Sequence, residues 1–181
     1  MSNIKTTALQ ALVNFKNEFR PIELSETTRS YSRKIEHRAR NRNGFWCGSC
    51  PPQGYLMRRN KNGIICLVRD PERFEFIQSV LKGIAYNGYT LEDAKRIFDE
   101  STYMVPKYGK IEPHKLKSMK RLRKLLCNPV YAGFIVDIDD KTTFHKGHHE
   151  AMISADEWIE VIKRINIVNI EIVKSAVSKI L

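Results

Sequence analysis

Leu116-Lys-Ser-Met-Lys-Arg-Leu-Arg-Lys-Leu-Leu-Cys127, followed by Asn128-Pro129, encodes the most informative helix of the chain. At about 100° per residue, Leu116, Met119, Leu122 and Leu126 fall on one side of a helix, and Lys117, Lys120, Arg121 and Lys124 on the other. A helix that only needed to be soluble would interleave Glu with Lys, because opposite charges at i,i+4 attract and like charges repel. Here the aliphatic side suits a core and the cationic side is left for a polyanion. Asn128-Pro129 stops the helix, so the spacing predicts a helix over 116–127.

Upstream, Thr90 caps a helix whose Leu91, Ala94, Ile97 and Phe98 face inward, with acidic residues in the first turn where the helix dipole favours them. It leads into a basic linker interrupted by Pro106, Gly109 and Pro113. Asp70-Pro71 opens the preceding helix, an acceptor at the cap and a proline where no N–H is needed. Phe74, Ile77, Leu81 and Ile84 recur on its inner face until Asn87-Gly88 ends it. Before it, strands over 55–57 and 64–68 form a hairpin through a turn at 58–63, with Asn62-Gly63 supplying positive φ. The Gly/Pro-dense stretch 44–54 is a loop, Asn43-Gly44 ends a polar helix that Ser25 caps, and a short helix covers 8–19.

Downstream, 130–138 reads as a strand, Asp139-Asp140 as a turn, and 142–144 as a returning strand that reaches toward His145. Another extended piece is expected near 150–153. Ser154-Ala-Asp-Glu157 is a capping box, and its helix carries Trp158, Val161, Ile162 and Ile165 inward. The expected class is α+β, mainly helical: a compact helical domain with small β-hairpins, preceded by a basic helix and linker. Residues 1–24 are an N-terminal helix and lead-in, 25–54 the basic helix and Gly/Pro linker, 55–165 the domain, and 166–181 an apolar tail that extends the last helix or oligomerises.

The chain has 181 residues, with Lys+Arg 31 against Asp+Glu 20 and a net charge of +11. Two windows hold this excess: 29–42, with six basic residues against Glu36, and 107–124, with eight against Glu112. Charge so concentrated on a soluble chain points to nucleic acid. At 42% hydrophobic the chain can bury a core, yet it has no apolar run of the roughly 18 residues a membrane span needs. The first ten residues lack a secretory signal, and four cysteines are too few for a disulfide scaffold. Those observations imply a cytoplasmic chain with reduced thiols.

Catalytic and metal-binding constellations are sparse. Ser30 and Ser32 belong to the basic helix rather than to a strand end. Cys47 and Cys50 have zinc-knuckle spacing, but a structural site needs two further ligands such as Cys66 and a histidine. His145, His148, His149 and Glu150 are a second, weaker metal candidate, and Asp139-Asp140 is turn chemistry. There is no phosphate-binding glycine loop, and no cofactor is expected.

Five stretches in order, Gly44 to Tyr55 (GFWCGSCPPQGY), Asp70-Pro71-Glu72, Asn87 to Leu91 (NGYTL), Leu125 to Gly133 (LLCNPVYAG) and His149 to Ser154 (HEAMIS), resemble the recombinase domain of the large serine recombinases. These are resolvase-type site-specific recombinases, the integrases and transposases of phages and mobile elements. The similarity covers roughly 25–165, and it already accounts for His149-Glu150 as a junction between hairpin and helix. It implies sequence-specific binding of double-stranded DNA at attachment sites, in a bacterial or phage-borne, nucleoid-associated protein. A family member carries a catalytic serine domain ahead of this region and a zinc ribbon after it, and neither has a counterpart here. The tryptophan the family often places near the start of the basic helix is also missing around Leu116 and Lys117. Cleavage is therefore not expected of this chain alone.

The candidate DNA-binding set is Arg29, Arg33, Lys34, Arg38, Arg40, Arg42, Arg58, Arg59, Lys117, Lys120, Arg121 and Lys124. The first six would cross the phosphate backbone, with Arg40 and Arg42 reaching a narrow minor groove. The last four would meet the major groove, where Arg121 can contact a guanine edge twice. A separately encoded catalytic serine domain and a second copy of the chain on DNA are the other partners considered. Two readings of other classes compete: a regulatory protein binding nucleic acid without sequence choice, and an interaction module acting through the 166–181 tail.

Overall fold

The computed structural model describes residues 26–101, 104–107, 110–113, 118–165 and 170–179. The chain divides into two units, Met1–Glu36 and His37–Leu181, and helix α1, Glu26–Arg42, runs across the division. In the first unit the helical residues Tyr31 and Ile35 are exposed. The expected helix over 8–19 and the Ser25 cap lie outside the described residues.

In the second unit the chain leaves α1 at Gly44, whose φ is +76°. A Cβ there would meet the Lys146 carbonyl oxygen at 1.9 Å, so this glycine allows a close approach of two backbones as well as a left-handed turn. Strands β1, Tyr55–Arg59, and β2, Ile65–Arg69, pair antiparallel from Tyr55↔Arg69 to Arg59↔Ile65. Their turn is held by the Asn60 carboxamide oxygen, which accepts from the N–H groups of Asn62 and Ile64 at 2.9 Å.

Helix α2, Phe74–Asn87, ends at Gly88 with φ +72°. Helix α3, Leu91–Glu100, starts at a reciprocal capping box between Thr90 and Asp93. Strands β3, Met104–Lys107, and β4, Lys110–Pro113, form a second antiparallel pair, and helix α4, Met119–Leu126, follows. A 3₁₀ turn at Pro129–Ala132 leads through Gly133 into β5, Phe134–Val136, which pairs with β6, Phe144–Lys146. Helix α5, Ala155–Arg164, has the Ser154/Glu157 capping box, and α6 covers Ile170–Ser178.

The core lies where α2 packs against α5, with the 3₁₀ turn, α4 and α6 around them. Phe74, Ile77, Val80, Leu81 and Ile84 from α2 and Trp158, Val161 and Ile162 from α5 are buried in it, as helical periodicity requires. Burying aliphatic and aromatic side chains of this size stabilises the fold by about 1.5–3 kcal/mol each. Leu122 and Leu126 fix α4 to the same core, and Val177 brings α6 into it. Among the described residues no helix is long and apolar enough to cross a membrane.

The mainly helical α+β class and its small hairpins are as expected, but several element bounds differ. Helix α2 starts at Phe74, because Asp70 first makes its own turn: its carboxylate accepts from the Glu72 N–H at 3.1 Å and pairs with Arg73 at 2.5 Å. The presumed basic linker holds the β3–β4 hairpin, where Pro106 and Pro113 are tolerated because each strand of a two-stranded ribbon has a free edge. Helix α4 begins at Met119, since the Ser118 hydroxyl caps it by accepting from the Arg121 N–H. Leu116 and Lys117 lie outside the described residues.

The expected strand over 130–138 is shortened to β5, and its first four residues, 130–133, belong to the 3₁₀ turn and its glycine cap. Asn128 accepts from the Val130 N–H at 3.2 Å, Pro129 fixes φ, and Val130, Tyr131 and Ala132 are all buried in succession, which no half-exposed strand would show. The piece at 150–153 is not a strand either: the N–H groups of Met152 and Ile153 both donate to the Tyr131 carbonyl, at 2.8 and 3.1 Å.

Candidate nucleic-acid interface

Helix α4 keeps its sequence-encoded division. Leu122 and Leu126 are fully buried, Met119 and Leu125 are half-buried, and Lys120, Arg121, Arg123 and Lys124 are exposed. At about 100° per residue the four cations span an arc of roughly 160°, and the apolar residues fill the remainder. Among the described residues none of these four cations pairs with a carboxylate. Uncompensated like charges on adjacent turns repel one another, a cost that a polyanion would remove. Arg123 was missed by the helical-wheel reading, although its position at the edge of the arc in Lys-Arg-Leu-Arg-Lys signals it.

The α1 cations divide differently. Arg33 and Lys34 are exposed in the first unit, while the side chain of Arg29 lies outside the described residues. In the second unit Arg38 donates through Nε to Asp139 at 3.0 Å. Arg42 reaches the other Asp139 oxygen at 3.4 Å and Asp137 at 3.6 Å. These two arginines, expected to lie against DNA, pair with the β5–β6 loop. Arg40 is exposed, and its charge partly offsets the effect of burial on the Cys47 thiol.

A buried amide supports the same contact. Asn41 donates to the Val136 carbonyl at 3.0 Å and accepts from the Ile138 N–H at 2.9 Å, so it acts as one rung of a strand against the end of β5. Sequence reading passed over Asn41, because nothing local distinguishes it from other polar residues of the helix. On the β1–β2 hairpin, Arg58 and Arg59 are exposed beside Lys61, and Arg59 donates to the Gly63 carbonyl of its own turn at 2.9 Å.

The sulfur and imidazole groups form no metal cluster among the described residues. The Cys47 thiol is half-buried and donates toward the His37 and Phe45 carbonyls, and burial pushes its pKa up, which disfavours the thiolate a metal needs. Cys50 is exposed. His145 pairs with Asp137 at 2.8 Å, His148 donates to the Asn43 carbonyl, and His149 donates to the Val130 carbonyl at 2.7 Å. Each imidazole has a structural partner.

Two of these groups link stability to pH. Burial, above all, holds the His149 pKa below its usual 6.5. Asp137 is held well below the carboxylate range by the Asp140 N–H and then by His145. Both shifts are downward, so the folded state binds fewer protons than the unfolded one. Their stabilisation is complete above the unfolded pKa values and is lost as pH falls, first below about 6.5 for His149 and then below about 3.8 for Asp137. The urea midpoint should therefore drop between pH 7 and pH 5, and His149→Gln should flatten that drop. An unchanged slope in the variant would assign the acid sensitivity elsewhere.

Solved structures share this fold, among them the following two. One is reported as the crystal structure of a large serine recombinase (LSR)–DNA complex, at 15% identity and a TM-score of 0.54, matching 73% of this chain and 38% of that one. The other concerns the sequence requirements of the Listeria innocua prophage attP site, at 16% identity and a TM-score of 0.51, matching 75% of this chain and 50% of that one. At such identities the likeness is one of fold, and it is the fold that the five sequence motifs implied. This chain spans between about two fifths and half of the length of those proteins. No family model matches the sequence, and no curated protein matches it.

Proposed function

We propose that this chain binds double-stranded DNA and recognises the attachment sites of a mobile element, as the DNA-binding portion of a large serine site-specific recombinase. The observation that carries the reading is the exposed cationic arc of α4, Lys120, Arg121, Arg123 and Lys124, mounted on the buried Leu122 and Leu126. A short helix so anchored presents its cations as a rigid group to phosphates and base edges, and rigidity is what converts charge into register. The shared fold with the protein of an LSR–DNA complex supports the same reading. In it Arg58 and Arg59 add phosphate contacts from the β1–β2 hairpin, and strand cleavage belongs to a catalytic serine domain that works with this one. Such a protein acts in the cytoplasm, on the nucleoid or on phage DNA.

The test is a fluorescence-anisotropy titration against random duplexes and against duplexes from the flanks of the host element, at several salt concentrations. Neutralising about five phosphates, three through Lys120, Arg123 and Lys124 and two through Arg58 and Arg59, gives a slope of log K against log salt of about −4.5. A slope of that size with preference for one flank supports the proposal. A steep slope without preference reduces it to non-specific binding, and a slope near zero overturns it.

A further inference from the structure

We propose that Asp139 occupies the phosphate position of Arg38 and Arg42, and so sets how strongly this part of the chain holds DNA. The inference rests on the DNA-binding reading and adds an internal competitor to it. Arg38 and Arg42 stand one helical turn apart, and each takes one oxygen of the same carboxylate: Arg38 Nε at 3.0 Å from Oδ1, and an Arg42 terminal nitrogen at 3.4 Å from Oδ2. Two guanidinium groups converging on two oxygens of one anionic group is the arrangement that the non-bridging oxygens of a backbone phosphate also satisfy.

The carboxylate is presented on a fixed loop. The Asp139 N–H donates to Asp137 at 2.8 Å, and the Asp140 N–H donates to the same Asp137 oxygen at 3.0 Å. Asp137 is buried and pairs with His145, and Asn41 bonds the backbone on both sides of it. The competing pair itself is open to solvent: the Arg38 side chain is 49% exposed and that of Asp139 38%. Exposed ion pairs of this kind are worth little, so a phosphate can displace the carboxylate at modest cost. Asp137 and Asp139 thus differ in role. Asp137 builds the loop and lies 3.6 Å from Arg42 Nε, whereas among the described residues the Asp139 side chain touches only the two arginines.

Asp139→Asn keeps the backbone N–H and the side-chain shape while removing the competing charge. Binding of a random duplex is followed at several salt concentrations for the unmodified chain, for Asp139→Asn, for Arg38→Gln with Arg42→Gln, and for the triple variant. Thermal unfolding of each confirms the fold, and Asp139→Ser provides a second removal of the charge. The expected result is an affinity about three- to tenfold higher for Asp139→Asn, with a salt slope steeper by about one to two, and no such gain in the triple variant. Unchanged or weaker binding by Asp139→Asn, beside salt-steep binding by the unmodified chain, overturns the competition while leaving the DNA reading intact. A gain that survives in the triple variant also overturns it, since that is a general effect of net charge. No salt-dependent binding by any form overturns both.

Discussion

Trp158→Ala should cost about 3–5 kcal/mol of folding stability, and Trp158→Phe about 1 kcal/mol. Trp158 is only 1% exposed, and its indole lies 5.9 Å from the Phe144 ring in an edge arrangement and 6.3 Å from that of Phe134. Truncation to alanine leaves a cavity walled by two aromatic rings that belong to the β5–β6 pair, and α5 loses its largest contact with the core. Phenylalanine keeps most of the ring volume, and because the indole N–H has no acceptor among the described residues, removing it sacrifices no hydrogen bond. Against a total stability of roughly 5–15 kcal/mol, the alanine variant would be marginal. The melting temperature should fall by roughly 10 °C or more for alanine and by only a few degrees for phenylalanine. Equal losses for the two would mean that the indole N–H, rather than ring volume, carries the stability.

Much of this architecture could be read from local chemistry. Thr90 and Ser154 each stand three residues before an acidic residue, and both make the reciprocal capping box that this spacing implies. The apolar positions of α2 and α5 recur at helical period and are buried. At three misread boundaries, a side-chain acceptor had redirected the backbone locally. Asp70, Ser118 and Asn128 each accept from an N–H two or three residues on, and each moved an element boundary. Ser118 and Asn128 cap the α-helix and the 3₁₀ turn that follow them directly, and the place of Ser118 before Met119 could have been recognised.

The candidate interface was legible in part, for a different reason. The cations of α4 depend only on helical period, so sequence places them on one side. The engagement of Arg38 and Arg42 joins residues 101 and 97 positions apart, and no periodicity reports a pairing made by tertiary folding. Charge counts treat every arginine as available, whereas the fold supplies some of them with carboxylates of their own. Of the two charged windows, the α4 segment therefore carries more of the free positive potential than its count suggests.

Replacing Lys120, Arg121, Arg123 and Lys124 together with glutamine should lower affinity for random duplexes by roughly five-hundredfold at 0.1 M salt, because the counterion release that the three phosphate contacts of Lys120, Arg123 and Lys124 provide is lost. The slope of log K against log salt should flatten by about 2.7 units. Stability should change little or rise slightly, since all four side chains are exposed and repel one another, and Leu122 and Leu126 remain to hold the helix. The single variants separate positioning from readout. Lys124→Gln should weaken binding to every duplex alike and flatten the slope by about 1, as expected for a point charge on phosphate. Arg121→Gln should instead cost about 1–3 kcal/mol on the preferred flank and much less on random DNA, because only a guanidinium can take both acceptors of a guanine edge. Equal losses on preferred and random duplexes from both single changes would assign α4 to the phosphate backbone alone and move sequence recognition to another element. Retention of full affinity by the fourfold variant would remove α4 from the interface altogether and leave the β1–β2 hairpin and α1 cations to account for any binding.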